Sequence, residues 1–210
     1  LDAVENGHRI IILSDHPSLR GAGTVPIPSL LATAAVNRAL VKAGRRPSVG
    51  LIVQSGEVRE VMHYALLLGF GATAVNPYLA LATVSACAKD GDLVTAASNY
   101  VTAVDKGLLK IMSKMGISTL RSYRAAQIFE AVGLAPEVVD RYFTGTPSRV
   151  GGLGFKEIEE LVAPKETKGS AATAPSAASL LALGGQYRYR KGTEDHTWTP
   201  QTLAAFRQAV

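Results

Sequence analysis

"SVGLIVQSGEVREVMHYALLLGFGATAVN", residues 48–76, decides the fold. Its first seven residues, 48–54, form an unbroken apolar run of strand length, as a buried strand requires. Ser55 stands where it can cap a helix over 56–69, whose apolar stripe runs Val58, Val61, Ala65, Leu68 before Gly69 ends it. "ATAVN" (72–76) is then a third short strand, punctuated by Pro77. Upstream the pattern repeats. "HRIIILS" (8–14) is a β-branched apolar run, and 26–44 reads as a helix with Pro28 in its first turn and Gly44 as its stop. Apolar strands alternating with amphipathic helices predict an α/β fold of parallel βα units, the sheet covered on both faces. A doubly wound sheet and a (β/α) barrel both satisfy this periodicity.

Beyond residue 78 the chain reads as mostly helical through Met115. "ISTL" (117–120) is a candidate strand, and 122–133 a helix closed by Gly133. At 164 the composition shifts: residues 164–183 are rich in Ala, Ser, Thr and Pro without a sustained period, which predicts a flexible linker. The segment 184–210 regains aromatics and ends on a helical pattern after Pro200, too short to form a domain alone.

Hydrophobic residues make up 47% of the 210 and charged residues 19%, the balance of a globular domain rather than a disordered chain. No apolar run is long enough to span a bilayer. The start, Leu1 onward, has no basic n-region, so no signal peptide is expected. Cys87 is the one cysteine, which excludes an internal disulfide or a cysteine cluster, fits a reducing cytoplasm, and is expected to be buried. The formal charge of +5 comes from 22 scattered Lys and Arg against 17 acids, and scattered cations do not make a nucleic-acid face.

Two stretches could carry a site. Lys106, Lys110 and Lys114 fall at i, i+4 and i+8 on one helix face with Ser113 beside them, opposite Leu108, Leu109, Ile111 and Met112. Such a row can hold an anion or simply be wet. "GTPSRVGGLGFKEIEEL" (145–161) puts Gly151, Gly152, Gly154 and Arg149 before a helix, where backbone N–H groups can cradle a phosphate. It matches neither nucleotide fingerprint, because Glu157 occupies the place of the third glycine. A free-standing enzyme of a phosphate ligand would use this loop. His8, His16, His63 and His196 are dispersed, "SDHPS" (14–18) reads as a turn, and "YRYRK" (187–191) is too short a basic–aromatic run to imply single-strand binding.

The strings at 27–41, 56–80, 99–134 and 142–158 closely resemble the central domain of the large subunit of glutamate synthase. Residues 184–209 resemble the segment leading from it into that enzyme's FMN-binding barrel. The resemblance implies an incomplete, barrel-like C-terminal part of the central domain over 1–163, the linker at 164–183, and a truncated start of the FMN-binding domain at 184–210. It implies a parent enzyme that makes two glutamates from glutamine and 2-oxoglutarate with electrons from NADPH, NADH or ferredoxin. In that family an amidotransferase domain releases ammonia, and a barrel carrying FMN and a 3Fe-4S cluster forms and reduces 2-iminoglutarate. The central domain shapes the ammonia route between them. No cofactor is expected on this chain, which is expected to be inactive alone. Its expected partners are the amidotransferase and FMN domains, with a small reductase subunit in some members, and neither nucleic acid nor membrane. Lys106, Lys110, Ser113 and Lys114 then become candidates for contact with a neighbouring domain.

Overall fold

The first unit starts with α1 (Asp2–Glu5), β1 (Ile10–Ser14), α2 (Ser29–Lys42), β2 (Gly50–Gln54), α3 (Val61–Gly69) and β3 (Ala74–Asn76). These belong to a computed structural model that describes residues 1–19, 21, 24–88, 92–170, 189–192 and 196–209. The chain divides into one unit over Leu1–Glu166 and a second over Thr167–Val210. Strands β1, β2 and β3 lie side by side in that order, all parallel, with Leu13, Val53 and Val75 in register. Helices α2 and α3 serve as the crossovers that the two parallel pairs need.

Leu51 and Val53 are buried on one face of this sheet, where Val53 joins Val58, Tyr64, Leu67, Ala72 and Val104 in a single core cluster. The expectation of cover on both faces fails on the other side. Ile10 is 61% exposed and Ile12 59%, and Ile12 is in register with Ile52 and Ala74 across the three strands. An apolar sheet face therefore lacks a covering layer among the described residues.

Next come α4 (Tyr78–Ala86), α5 (Leu93–Met115), α6 (Leu120–Tyr123), β4 (Ala131–Leu134), α7 (Pro136–Tyr142), β5 (Ser148–Leu153) and α8 (Phe155–Ser170). Strands β4 and β5 form a second parallel sheet. Its paired Val132 and Val150 are also exposed, at 69% and 55%. The described strands close no barrel; the fold is α/β, with parallel strands in two small sheets.

Three sequence expectations are corrected here. Residues 117–120 form no strand, since Thr119 accepts from the Ser122 N–H and opens the short α6. Residues 122–133 do not continue as a helix, because the Ala125 N–H is drawn to the Gly69 carbonyl and the backbone turns left-handed at Ala125 and Gln127. Ile128 and Phe129 then pack on the cluster of Ala65, Leu68, Met112 and Tyr123, and β4 follows. Local helical spacing gives way to tertiary packing. Thirdly, Ser55 does not cap α3, whose N-cap is Glu60; its hydroxyl donates to Asp15 Oδ2 and accepts from the Glu57 N–H.

Helix α8 runs through 164, where the linker was expected to start, as far as Ser170; residues 171–183 lie outside the described ones. In the second unit α9 (Pro200–Ala209) follows Thr199, whose hydroxyl accepts from the Thr202 N–H, and Leu203 and Phe206 on it are exposed.

Candidate functional site: the α5 face and the open sheet faces

Helix α5 owes its length to its ends. The Asp92 carboxylate accepts from the Thr95 N–H at 3.0 Å, and Gly116, at φ 71°, supplies the left-handed stop. Hydrogen bonding from the Thr95 side chain, and then from its N–H, holds the Asp92 carboxyl below its usual range. Val104 and Met112 are buried against α3 and its surroundings. Lys106, Lys110, Ser113 and Lys114 are all exposed. Leu109, expected on the buried side, is instead 64% exposed, between Lys106 three residues before it and Ser113 four after. The face thus carries three lysines and a hydroxyl, with a bare leucine at its edge. Sequence reading missed Gly107, whose lack of a side chain lets α5 cross α3: a Cβ there would stand 2.5 Å from Val61 Cγ2. A glycine inside a long helical pattern is the signal that could have found it.

The glycine stretch is shaped by chain packing. Gly151 and Gly152 lie within β5, and a Cβ on Gly152 would overlap the Gly133 carbonyl of the neighbouring strand. The Gly154 N–H donates to Glu157 Oε2 at 2.9 Å, and Glu137 Oε1 faces the same position. Arg149 stands 3.7 Å from Glu130 in an exposed pair. The backbone runs as a strand here instead of wrapping an anion, and two carboxylates face the start of α8, so these residues do not fit the FMN phosphate. One cysteine in the sequence cannot ligate a three-iron cluster either. Cys87, expected to be buried, is exposed at the end of α4 because the helix stops there at the surface.

At the carboxyl ends of β1 and β2, where ligands of open α/β sheets often bind, the polar groups satisfy one another. Asp15 accepts from the Ser55 hydroxyl at 2.6 Å and from the Gly56 N–H, and the Ser14 hydroxyl donates to Gln54 Oε1. "SDHPS" is thus a turn, with the His16 ring packed on Tyr78 at 4.7 Å. Nearby, the Tyr64 and Tyr100 hydroxyls are 2.8 Å apart, and burial followed by this bond pushes the Tyr64 phenol well above its ordinary pKa. The histidines come together in no metal-ligating group among the described residues, and no helix there is long and apolar enough to cross a membrane. Of 187–191, residues 187 and 188 lie outside the described ones; Tyr189 packs its ring on His196.

Comparison with known proteins agrees with the strings that carried the resemblance. The family model described as glutamate synthase central domain matches residues 1–135. The glutamate synthase [NADPH] large chain of Bacillus subtilis (strain 168) is 41% identical over 211 residues, covering 99% of this chain and 14% of its own length. The ferredoxin-dependent glutamate synthase of Cyanidium caldarium is 40% identical, covering 99% and 14%, and the Saccharomyces cerevisiae glutamate synthase [NADH] 36%, covering 100% and 10%. The chain therefore spans about a seventh or less of the relatives it matches. Among solved structures, a flavocytochrome b2 variant with sulfite bound covers 86% of this chain and 39% of its own, at 14% identity and a TM-score of 0.48. With the family model matching well over half of its residues, the chain belongs to the glutamate synthase central-domain family.

Proposed function

We propose that this chain is the interdomain scaffold of a glutamate synthase whose complete protein converts glutamine, 2-oxoglutarate and reductant into two glutamates in the cytoplasm. One observation carries the scaffold role: both parallel sheets leave an apolar face open, at Ile10 and Ile12 in one and Val132 and Val150 in the other. Parallel sheets are stable when both faces are covered, and the matched relatives are about seven to ten times longer than this chain. The cover is supplied by the amidotransferase and FMN domains of the parent chain, with the α5 face of Lys106, Lys110, Ser113 and Lys114, bordered by Leu109, as a second docking face. A small reductase subunit delivers electrons in the pyridine-nucleotide forms. FMN and the iron–sulfur cluster belong to the parent's flavin domain and supply the electrons for imine reduction there. This chain's part is to hold the domains in register, keep water from the joint and shape the ammonia route. Alone it turns nothing over.

The full-length protein is assayed for glutamate formed from 2-oxoglutarate and reductant, with either glutamine or free ammonia as nitrogen donor. Ile12→Asp should depress the glutamine-dependent rate far more than the ammonia-dependent one, because it loosens the joint and not the chemistry. Absence of glutamate synthesis in the wild type, turnover by residues 1–210 alone, or equal losses with both donors would each refute the reading.

A further inference from the structure

Two adjoining cavities open beside the carboxyl end of α2 and share Asn37, Val41 and Ala125 in their walls. The smaller, about 150 Å³, is walled by Phe70, Phe129 and Phe143, with Arg38 at its side. The larger, about 710 Å³, is lined by Arg46, Arg121 and Arg124. No carboxylate lines either one among the described residues.

Three independent observations converge here. Among the described residues, Arg38 Nε is buried without a hydrogen-bond partner, a costly state for a cation. Arg46 spends three of its five donors on neutral oxygens: Nε on Asn37 Oδ1 at 2.6 Å, and Nη1 and Nη2 on the Val49 and Gly71 carbonyls at 2.5 Å each. Its charge meets no acid there; burial, then the positive charge of Arg124, pushes its pKa below the ordinary value. Finally, Ala125 and Gln127, both lining the aromatic cavity, hold φ of 60° and 52°, a left-handed conformation that only a few per cent of non-glycine residues adopt.

We propose that these cavities bind a small amphipathic oxyanion, a carboxylate or phosphate joined to an apolar group. Arg38, Arg46 and Arg124 hold the charge, and the Phe70–Phe129–Phe143 wall holds the apolar part. Arginine forks suit both oxyanions, and the absence of any lining acid leaves that charge for a ligand to neutralise. The site stands apart from the open sheet faces and the α5 lysine face, so it does not depend on the scaffold reading.

The full-length protein is titrated calorimetrically with phenyl phosphate, benzoate and inorganic phosphate, as wild type and as Arg124→Leu. A saturable component should appear with phenyl phosphate or benzoate, and whichever binds tighter identifies the oxyanion. Arg124→Leu should weaken it by roughly ten- to hundredfold, the loss of one charge-assisted hydrogen bond, with an unchanged unfolding midpoint. Lys110→Ala, on a different helix, should leave it intact. Inorganic phosphate should bind more weakly than phenyl phosphate. Identical titrations of wild type and Arg124→Leu, or no saturation at millimolar ligand, would overturn the proposal. So would a collapsed unfolding midpoint in both Arg124→Leu and Arg124→Lys, which would make the arginines structural.

Discussion

Gly71 separates two effects that a glycine can have. Its φ of 115° strains any side chain, and a Cβ there would also overlap the Asn37 amide that receives Arg46. Gly71→Ala should therefore lower stability by about 1–3 kcal/mol in urea unfolding. Gly44→Ala, at φ 65° with open space around it, should cost only the strain, about 1–2 kcal/mol. Tyr123 is fully buried and donates to the Ala65 carbonyl at 3.2 Å, so Tyr123→Phe should cost about 1 kcal/mol. Burial raises the pKa of Tyr64 and Tyr123 above the ordinary 10.0. A raised folded-state pKa means their contribution is complete below pH 10 and fades as the pH climbs above it. Alkaline unfolding should therefore set in above that pH, and Tyr64→Phe should blunt it, as pH-dependent melting would register.

Helix α5 shows how an element can reverse a propensity rule. Gly→Ala inside a helix ordinarily gains about 0.5–1 kcal/mol, but at Gly107 the new Cβ meets Val61 of α3. Overpacking costs about 1–3 kcal/mol, so Gly107→Ala should be net destabilising, and Val61→Ala should relieve it in a double-mutant cycle. On the outer face, Lys110→Ala with Lys114→Ala should shift stability by no more than about 0.5 kcal/mol. The same pair should impair glutamate formation by the full-length protein. A stability loss of equal weight would mark the lysines as local structure. Elements with strong periodicity were legible: β1, α2, β2 and α5 stand where the apolar spacing put them, while α3 was expected from 56 and starts at Val61. Residues 117–133 were not, because Thr119 and the Ala125 N–H answer to capping and to the distant Gly69 carbonyl, neither of which has a period.

At the scale of the whole molecule the parallel topology was readable from alternation, while the open sheet faces were not. Alternation in "HRIIILS" is absent, so the run promised burial on both sides, and Ile10 and Ile12 prove to be bare. The glycine stretch misled in the opposite sense: glycines that admit a phosphate and glycines that admit a neighbouring strand look alike until Gly133 is seen beside Gly152. The arginines of the α2 cavities come from three separate segments, around 38, 46 and 124, so no local pattern could have assembled them.

Strand β1 pairs only with β2 among the described residues, which leaves it an edge as well as an apolar surface. Uncharged, apolar edges rich in β-branched residues are templates for addition of another strand, and Ile10–Leu13 has that composition. The colloidal consequence is that residues 1–210, prepared without the rest of the parent, should self-associate as concentration rises. Light scattering should follow the rise, and Ile12→Lys should suppress it while leaving the unfolding midpoint in place.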